Sequence, residues 1–255
     1  MNPNDLKNPN TQTARGFTLV ELLVTITIII TLAALIFVGM KRMRSSADKV
    51  VATRNISQLH VANAGYAADH NGRYMPVYGF DDKGSFGGNW FTNQAFISYL
   101  NGDGVVIKSS KGENTVPLSL LDPAAVRAKR AGFDTFEGSF GYNFEGMDGP
   151  GRGWAIPGSQ QSFFVHEIAS PERSAAFITC TDWIAHYKGR FLWKDSKAVE
   201  GRSNDGKMAF RHGGKALVVY YDGHVGDITT ADLKKIDNSG TQKGIANIFW
   251  NADGK

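Results

Sequence analysis

The chain has 255 residues, a net charge of +4, 20% charged and 42% hydrophobic residues. The positive excess is small and spread out, so it makes no nucleic-acid patch, and no nucleic-acid partner is expected. Cys180 is the single cysteine, which excludes an intrachain disulfide and leaves the redox compartment open.

Residues 1–16 are hydrophilic, with Lys7 and Arg15 set against Asp5. From Leu22 to Met40 there is no charged residue, and only Thr25, Thr27 and Thr31 interrupt the hydrophobics. At ~1.5 Å per residue this run spans ~28 Å, about one hydrocarbon core. Ile26, Ile28, Ile29 and Ile30 would favour a strand in water. Length decides against one, because a lone strand of this size would leave its backbone unpaired in lipid. The leucine, isoleucine, valine and phenylalanine content favours insertion by roughly 4–7 kcal/mol. A secretory signal is the alternative. The run is longer than its apolar region, and Met40-Lys41-Arg42-Met43-Arg44 is a poor cleavage site. The membrane segment is therefore expected from Leu22 to Met40, with one carboxylate, Glu21, at its mouth. An ionisable group placed there is a functional candidate.

Gly16-Phe17-Thr18-Leu19-Val20-Glu21 resembles the class III signal of type IV pilins and type II secretion pseudopilins. The resemblance implies that a prepilin peptidase cuts between Gly16 and Phe17 and that the new amine of Phe17 is methylated. It also implies assembly with other pilin or pseudopilin subunits on an inner-membrane platform. Glu21 lies ~6 Å of helical rise beyond the new amine. It can meet the amine of a neighbouring subunit, an attraction that strengthens as water is excluded. The alternative is that Glu21 merely snorkels to the headgroups. The resemblance places the protein in the inner membrane as a single pass, with its C-terminal part in the periplasm or outside. Lys41, Arg42 and Arg44 oppose that orientation, because positive loops tend to stay in the cytoplasm. Long domains translocate largely regardless of this bias, so the outward orientation is the expectation.

Past the membrane, Ala47, Val50, Val51, Leu59, Ala62, Tyr66 and Ala67 predict an amphipathic continuation of the helix over 41–70. Asn71-Gly72 and then Pro76 predict its end. A helix from Phe17 to about His70 would run ~80 Å, the stalk of a pilin. The stretch Arg54–Gly72 resembles G-type pseudopilin-like proteins.

The middle of the chain is rich in loops. Trp90, Phe91, Phe96 and Tyr99 predict a short helix ending at Asn101-Gly102. Asp122 as cap and Pro123 at the first helical position predict another over 124–131. A short strand, Ser139–Phe144, sits in a glycine-rich tract.

The C-terminal half reads as antiparallel sheet. Strands are expected at Ser174–Cys180, Lys215–Tyr221 and His224–Ile228, with Asp222-Gly223 as a hairpin turn. Both faces of Lys215–Tyr221 are apolar, so it should be central and covered on both sides. Thr229-Thr230-Ala231-Asp232 then caps a short helix. His212 through Asp222-Gly223 matches the His-X9-Asp-Gly signature of the same pseudopilin-like proteins. The two residues flank an extended strand of ~20 Å and cannot share a ligand. His212 is expected as a loop anchor, Asp222-Gly223 as turn chemistry, and His224 as a surface or capping residue.

Together these features predict an α+β fold. A long N-terminal helix packs on a C-terminal antiparallel sheet with glycine-rich loops. The domains are a leader over 1–16, a membrane or filament-core helix over 17–40, its continuation over 41–70 and a head over 71–255. G-type major pseudopilins bind calcium, so Asp81, Asp82, Asp103 and Asp205 are candidate ligands, although no local run has calcium spacing. No other cofactor is expected. Three functional readings are open. The first is a processed filament subunit, with Gly16, Phe17 and Glu21 as its working residues. The second is a tethered enzyme, for which no nucleophile elbow or His-Glu-x-x-His run is present. The third is a filament-tip binding module that uses Trp154, Trp183 and Trp193 as a platform.

Overall fold

The structure, a computed structural model, describes residues 16–80, 86–101, 109–110, 113–114, 118–128, 136, 138–147, 162–189, 206–238 and 246–254. The chain divides into two compact units, Met1–Arg44 and Ser45–Lys255. Helix α1 (Leu19–Asp69) contributes residues to both. In the first unit its segment Leu19–Phe37 is long and apolar enough to cross a membrane, and none of it is buried.

In the second unit, α1 is followed by β1 (Tyr78–Phe80), β2 (Phe86–Asn89), a 3-10 turn at Trp90–Thr92 and α2 (Gln94–Asn101). Then come β3 (Ser109–Ser110), β4 (Glu113–Asn114), α3 (Pro123–Ala128), β5 (Phe140–Asn143), β6 (Ala175–Thr179) and β7 (Ile184–Ala185). The chain continues through β8 (Ala216–Tyr220), β9 (Val225–Ile228) and α4 (Thr230–Asn238). The arrangement is α+β. The predicted helix after Asp122 ends at Ala128 among the described residues, and Gly132 lies outside them.

The C-terminal part of α1 stops as its sequence dictates. Asn71 and Gly72 take left-handed φ values of 54° and 78°, and the Gly72 N–H donates to the Ala67 carbonyl at 2.8 Å. Its buried face matches the predicted stripe at Leu59, Ala62, Tyr66 and Ala67 but departs from it toward the N-terminal side. Ala52, Ile56, Leu59, Ala62, Tyr66 and Ala67 are buried, whereas Ala47, Val50 and Val51 point outward and Val50 is 70% exposed. Asp48, Asn55, His60 and Asn63 are buried polar residues of this helix, and three of them have clear partners. Asp48 pairs with Arg127 of α3. Asn55 donates to the carbonyls of Ser119 at 2.8 Å and Leu121 at 2.9 Å. Asn63 donates to the Tyr142 hydroxyl at 3.0 Å and accepts from the Met75 N–H at 2.8 Å. The Asn63 amide has both ends satisfied and the Asn55 amide nitrogen donates twice, so polar pairing competes with hydrophobicity in setting the phase of this helix.

The main sheet has the order β7-β5-β6-β8-β9. β5, β6, β8 and β9 pair antiparallel, as expected, but β7 pairs parallel to β5, so the sheet is mixed rather than antiparallel. After β6 the chain crosses beneath the start of β5 and returns along its free edge. Gly141 permits this. A Cβ there would lie 2.6 Å from the carbonyl carbon of Ile184 and 2.8 Å from the nitrogen of Ala185.

β8 lies between β6 and β9 with both faces covered. Leu217 and Val219 join one apolar cluster with Ile56 and Leu59 of α1 and Phe177 of β6. Ala216 and Val218 join a second with Leu233 of α4, Phe249 and Trp250. Trp90 is fully buried in the first cluster, with the rings of Phe96, Phe136, Tyr142 and Phe177 around it.

Candidate processing and assembly site

The helix does not begin at Phe17. Residues 16–18 are non-helical, and α1 starts at Leu19. Phe17 is 74% exposed, and among the described residues nothing beyond its chain neighbours lies within 4 Å of where a Gly16 Cβ would be. Thr18 and Glu21 set the start. The Thr18 N–H and hydroxyl donate to Glu21 Oε2 at 2.9 and 2.8 Å, and the Glu21 N–H donates back to the Thr18 hydroxyl at 3.2 Å. This is a capping box, which satisfies helix-end donors reciprocally. Sequence reasoning assigned Glu21 only to assembly. The Thr-x-x-Glu spacing that signals the box was legible in Thr18-Leu19-Val20-Glu21. The bond between Gly16 and Phe17 thus lies in open backbone, ahead of a helix whose first turn is locked.

The threonines of the apolar run are satisfied inside the helix. Thr25 donates to the Leu22 carbonyl and Thr27 to the Leu23 carbonyl, both at 2.8 Å, and Thr31 donates to Ile28 at 2.8 Å. No hydroxyl is left needing water, so this surface suits hydrocarbon or another apolar helix.

The histidine and aspartate of the C-terminal signature do not meet. His212 is buried, with Nε2 3.3 Å from Asp122 Oδ2, and Arg211 Nη1 lies 3.6 Å from the same oxygen. The other oxygen of Asp122 caps α3 by accepting the Ala124 N–H at 2.9 Å. Burial pushes the Asp122 carboxyl up, but His212, the Arg211 charge and the Ala124 N–H outweigh it and hold it below the ordinary value of 3.8. Asp222 sits at the far end of β8. Its Oδ1 lies 2.6 Å from Nδ1 of the exposed His224, and its N–H donates to the Pro171 carbonyl at 3.2 Å. The turn is the type that places its glycine at φ 91°, with the Gly223 N–H donating to the Tyr220 carbonyl at 2.9 Å. Gly223 rests on His60 of α1, where a Cβ would come within 3.2 Å of the imidazole. Burial holds the His60 imidazole below its ordinary value, and the Asp222 charge opposes this only in part. His212 is therefore a loop anchor and Asp222-Gly223 a turn. No local pattern marks Asp122 as the partner of His212, because the two lie far apart in the chain.

The calcium candidates Asp81, Asp82, Asp103 and Asp205 lie outside the described residues, as do Trp154 and Trp193. Among the described residues no group of three or more His, Cys, Asp and Glu side chains could hold a metal ion. Trp183 is half-buried against the core, edge-on to Tyr78 at 4.8 Å, and its carbonyl accepts the Trp90 indole N–H at 2.6 Å. It is a packing residue rather than part of an open platform. Cys180 is fully buried, and burial pushes its thiol up to about 12, so it is no thiolate nucleophile.

Residues 12–37 match the protein-family profile described as the prokaryotic N-terminal methylation motif. No curated protein and no solved structure matches the chain. The matched segment covers the open Gly16–Phe17 bond, the capping box and the exposed apolar run together. The chain carries a prepilin-type methylation motif at the head of an N-terminal apolar helix, consistent with a type IV pilin-like protein.

Proposed function

We propose that this protein is a structural subunit, a pilin or pseudopilin, of a type IV pilus-like or type II secretion filament. Prepilin peptidase removes residues 1–16 by cutting between Gly16 and Phe17, and the amine of Phe17 is methylated. The helix over 17–40 holds the precursor in the inner membrane and then becomes filament core. Residues 41–70 continue it as a stalk, and the head over 71–255 faces the periplasm or the exterior. In the filament Glu21 meets the Phe17 amine of a neighbouring subunit, which fixes the axial register of stacked helices. The observation that carries this reading is the methylation motif placed on an apolar helical segment, Leu19–Phe37, none of which is buried.

Two variants test it. Gly16→Ala should leave the full-length precursor on an immunoblot. Glu21→Val should be processed yet be absent from sheared filaments. In both, the head should keep its melting temperature. Normal processing and assembly by both variants would overturn the reading.

A further inference from the structure

Three cations remain unused by the assembly scheme. Lys41, Arg42 and Arg44 follow the span Leu19–Phe37 within the same helix. At ~1.5 Å per residue they lie roughly 6–10 Å beyond Phe37 along the axis, the depth of a headgroup layer. From Leu22 to Ala47 the sequence offers them no carboxylate. The next one, Asp48, is buried and taken by Arg127. The next cation, Lys49, differs in kind, since its ammonium is held by Asp227 at 2.6 Å. Arg44 is exposed and pairs with no acid among the described residues. At 100° per residue, positions 41, 42 and 44 fall within an arc of about 160°, and positions 40 and 43 fall outside it. The latter are Met40 and Met43, both exposed. By backbone register this turn thus sets three cationic positions apart from two apolar ones, the composition of a segment lying at a membrane surface.

We infer that the turn Lys41–Arg44 binds anionic phospholipid headgroups at the membrane surface from which the second unit emerges. The inference rests on the reading of Leu19–Phe37 as a membrane span and holds for either orientation of that span. It gives the cations a role that the charge rule for orientation does not. Guanidinium forks match phosphate oxygens in pairs, and the lysine adds a point charge. Each cation near an anionic surface changes partition by roughly fivefold, and the effect fades with salt.

The test uses the full chain reconstituted in bilayers of mixed phosphatidylglycerol and phosphatidylcholine. Lipids retained after mild detergent extraction are quantified by mass spectrometry for the wild type and for K41Q/R42Q/R44Q. The wild type should retain a ratio of phosphatidylglycerol to phosphatidylcholine at least fivefold above the bulk ratio, less so as salt rises. The triple variant should retain the bulk ratio while still resisting carbonate extraction. Equal enrichment in both proteins, or none in the wild type, would overturn the inference. Release of the wild type by carbonate would overturn the span itself and the lipid contact with it.

Discussion

Helix α1 carries two solutions to one problem, and they are opposites. Over Leu19–Phe37 the threonine hydroxyls are turned inward to the helix's own backbone and no apolar side chain is buried. Over 45–69 the reverse holds in part: Asp48, Asn55 and Asn63 are buried and paired, while Val50 and Val61 face outward. The first segment is built for an apolar surrounding that a single subunit does not supply. The second is built for its own head, where paired polar groups choose which face packs. A helix that is uniformly apolar names its solvent. A helix with polar residues in its buried face names its partner.

The largest effect is expected from breaking the first solution. Two lysines at Ile29 and Ile30 would cost about 5–7 kcal/mol at the centre of a span, comparable to the whole insertion energy. The double variant should leave the membrane fraction on carbonate extraction while the head keeps its fold. Next is the polar anchoring of the second unit. Asp122→Ala leaves Arg211 buried without its counter-charge and should destabilise the head by about 3–5 kcal/mol in urea unfolding.

The pH dependence sharpens the same contrast. His60 has a folded pKa below 6.5, so its contribution is complete above 6.5 and is lost as pH falls through the folded value. Asp122 and Asp222 have folded values below 3.8, so theirs persists until pH drops under 3.8. Melting temperature should therefore fall in two stages on acidification, and His60→Gln should remove the first. The smallest effect is a coupling. His212→Ala and Asp222→Ala should add in stability to within about 0.5 kcal/mol, because they touch different partners. A larger coupling would mean that the signature residues act as one site.

The comparison also explains what the sequence could show. The span, the helix stop at Asn71-Gly72, the Asp122 cap and the Asp222-Gly223 turn rest on local chemistry, and each was legible. The outward phase of Ala47, Val50 and Val51 was not, because it depends on Arg127, Ser119 and Tyr142, which reach the helix only after folding. The parallel β7 was hidden for a similar reason: two residues carry no periodicity, and only Gly141 marks the crossing chain. Of the candidate site, Gly16, Phe17 and Glu21 stand out in the sequence through the motif resemblance they carry, and they fall inside the matched segment 12–37. The capping box is equally local, since Thr18 and Glu21 stand at the three-residue spacing that closes it. The buried pairing of His212 with Asp122 joins distant segments and had no local signal.

The central claim is that the apolar segment is a processed filament core rather than a permanent anchor or a discarded signal. Mass spectrometry of the mature N-terminus tests it directly. The account predicts a chain that begins at Phe17 and carries one methyl group on its amine. A mature chain that still begins at Met1, or one cut beyond Met40, would contradict it.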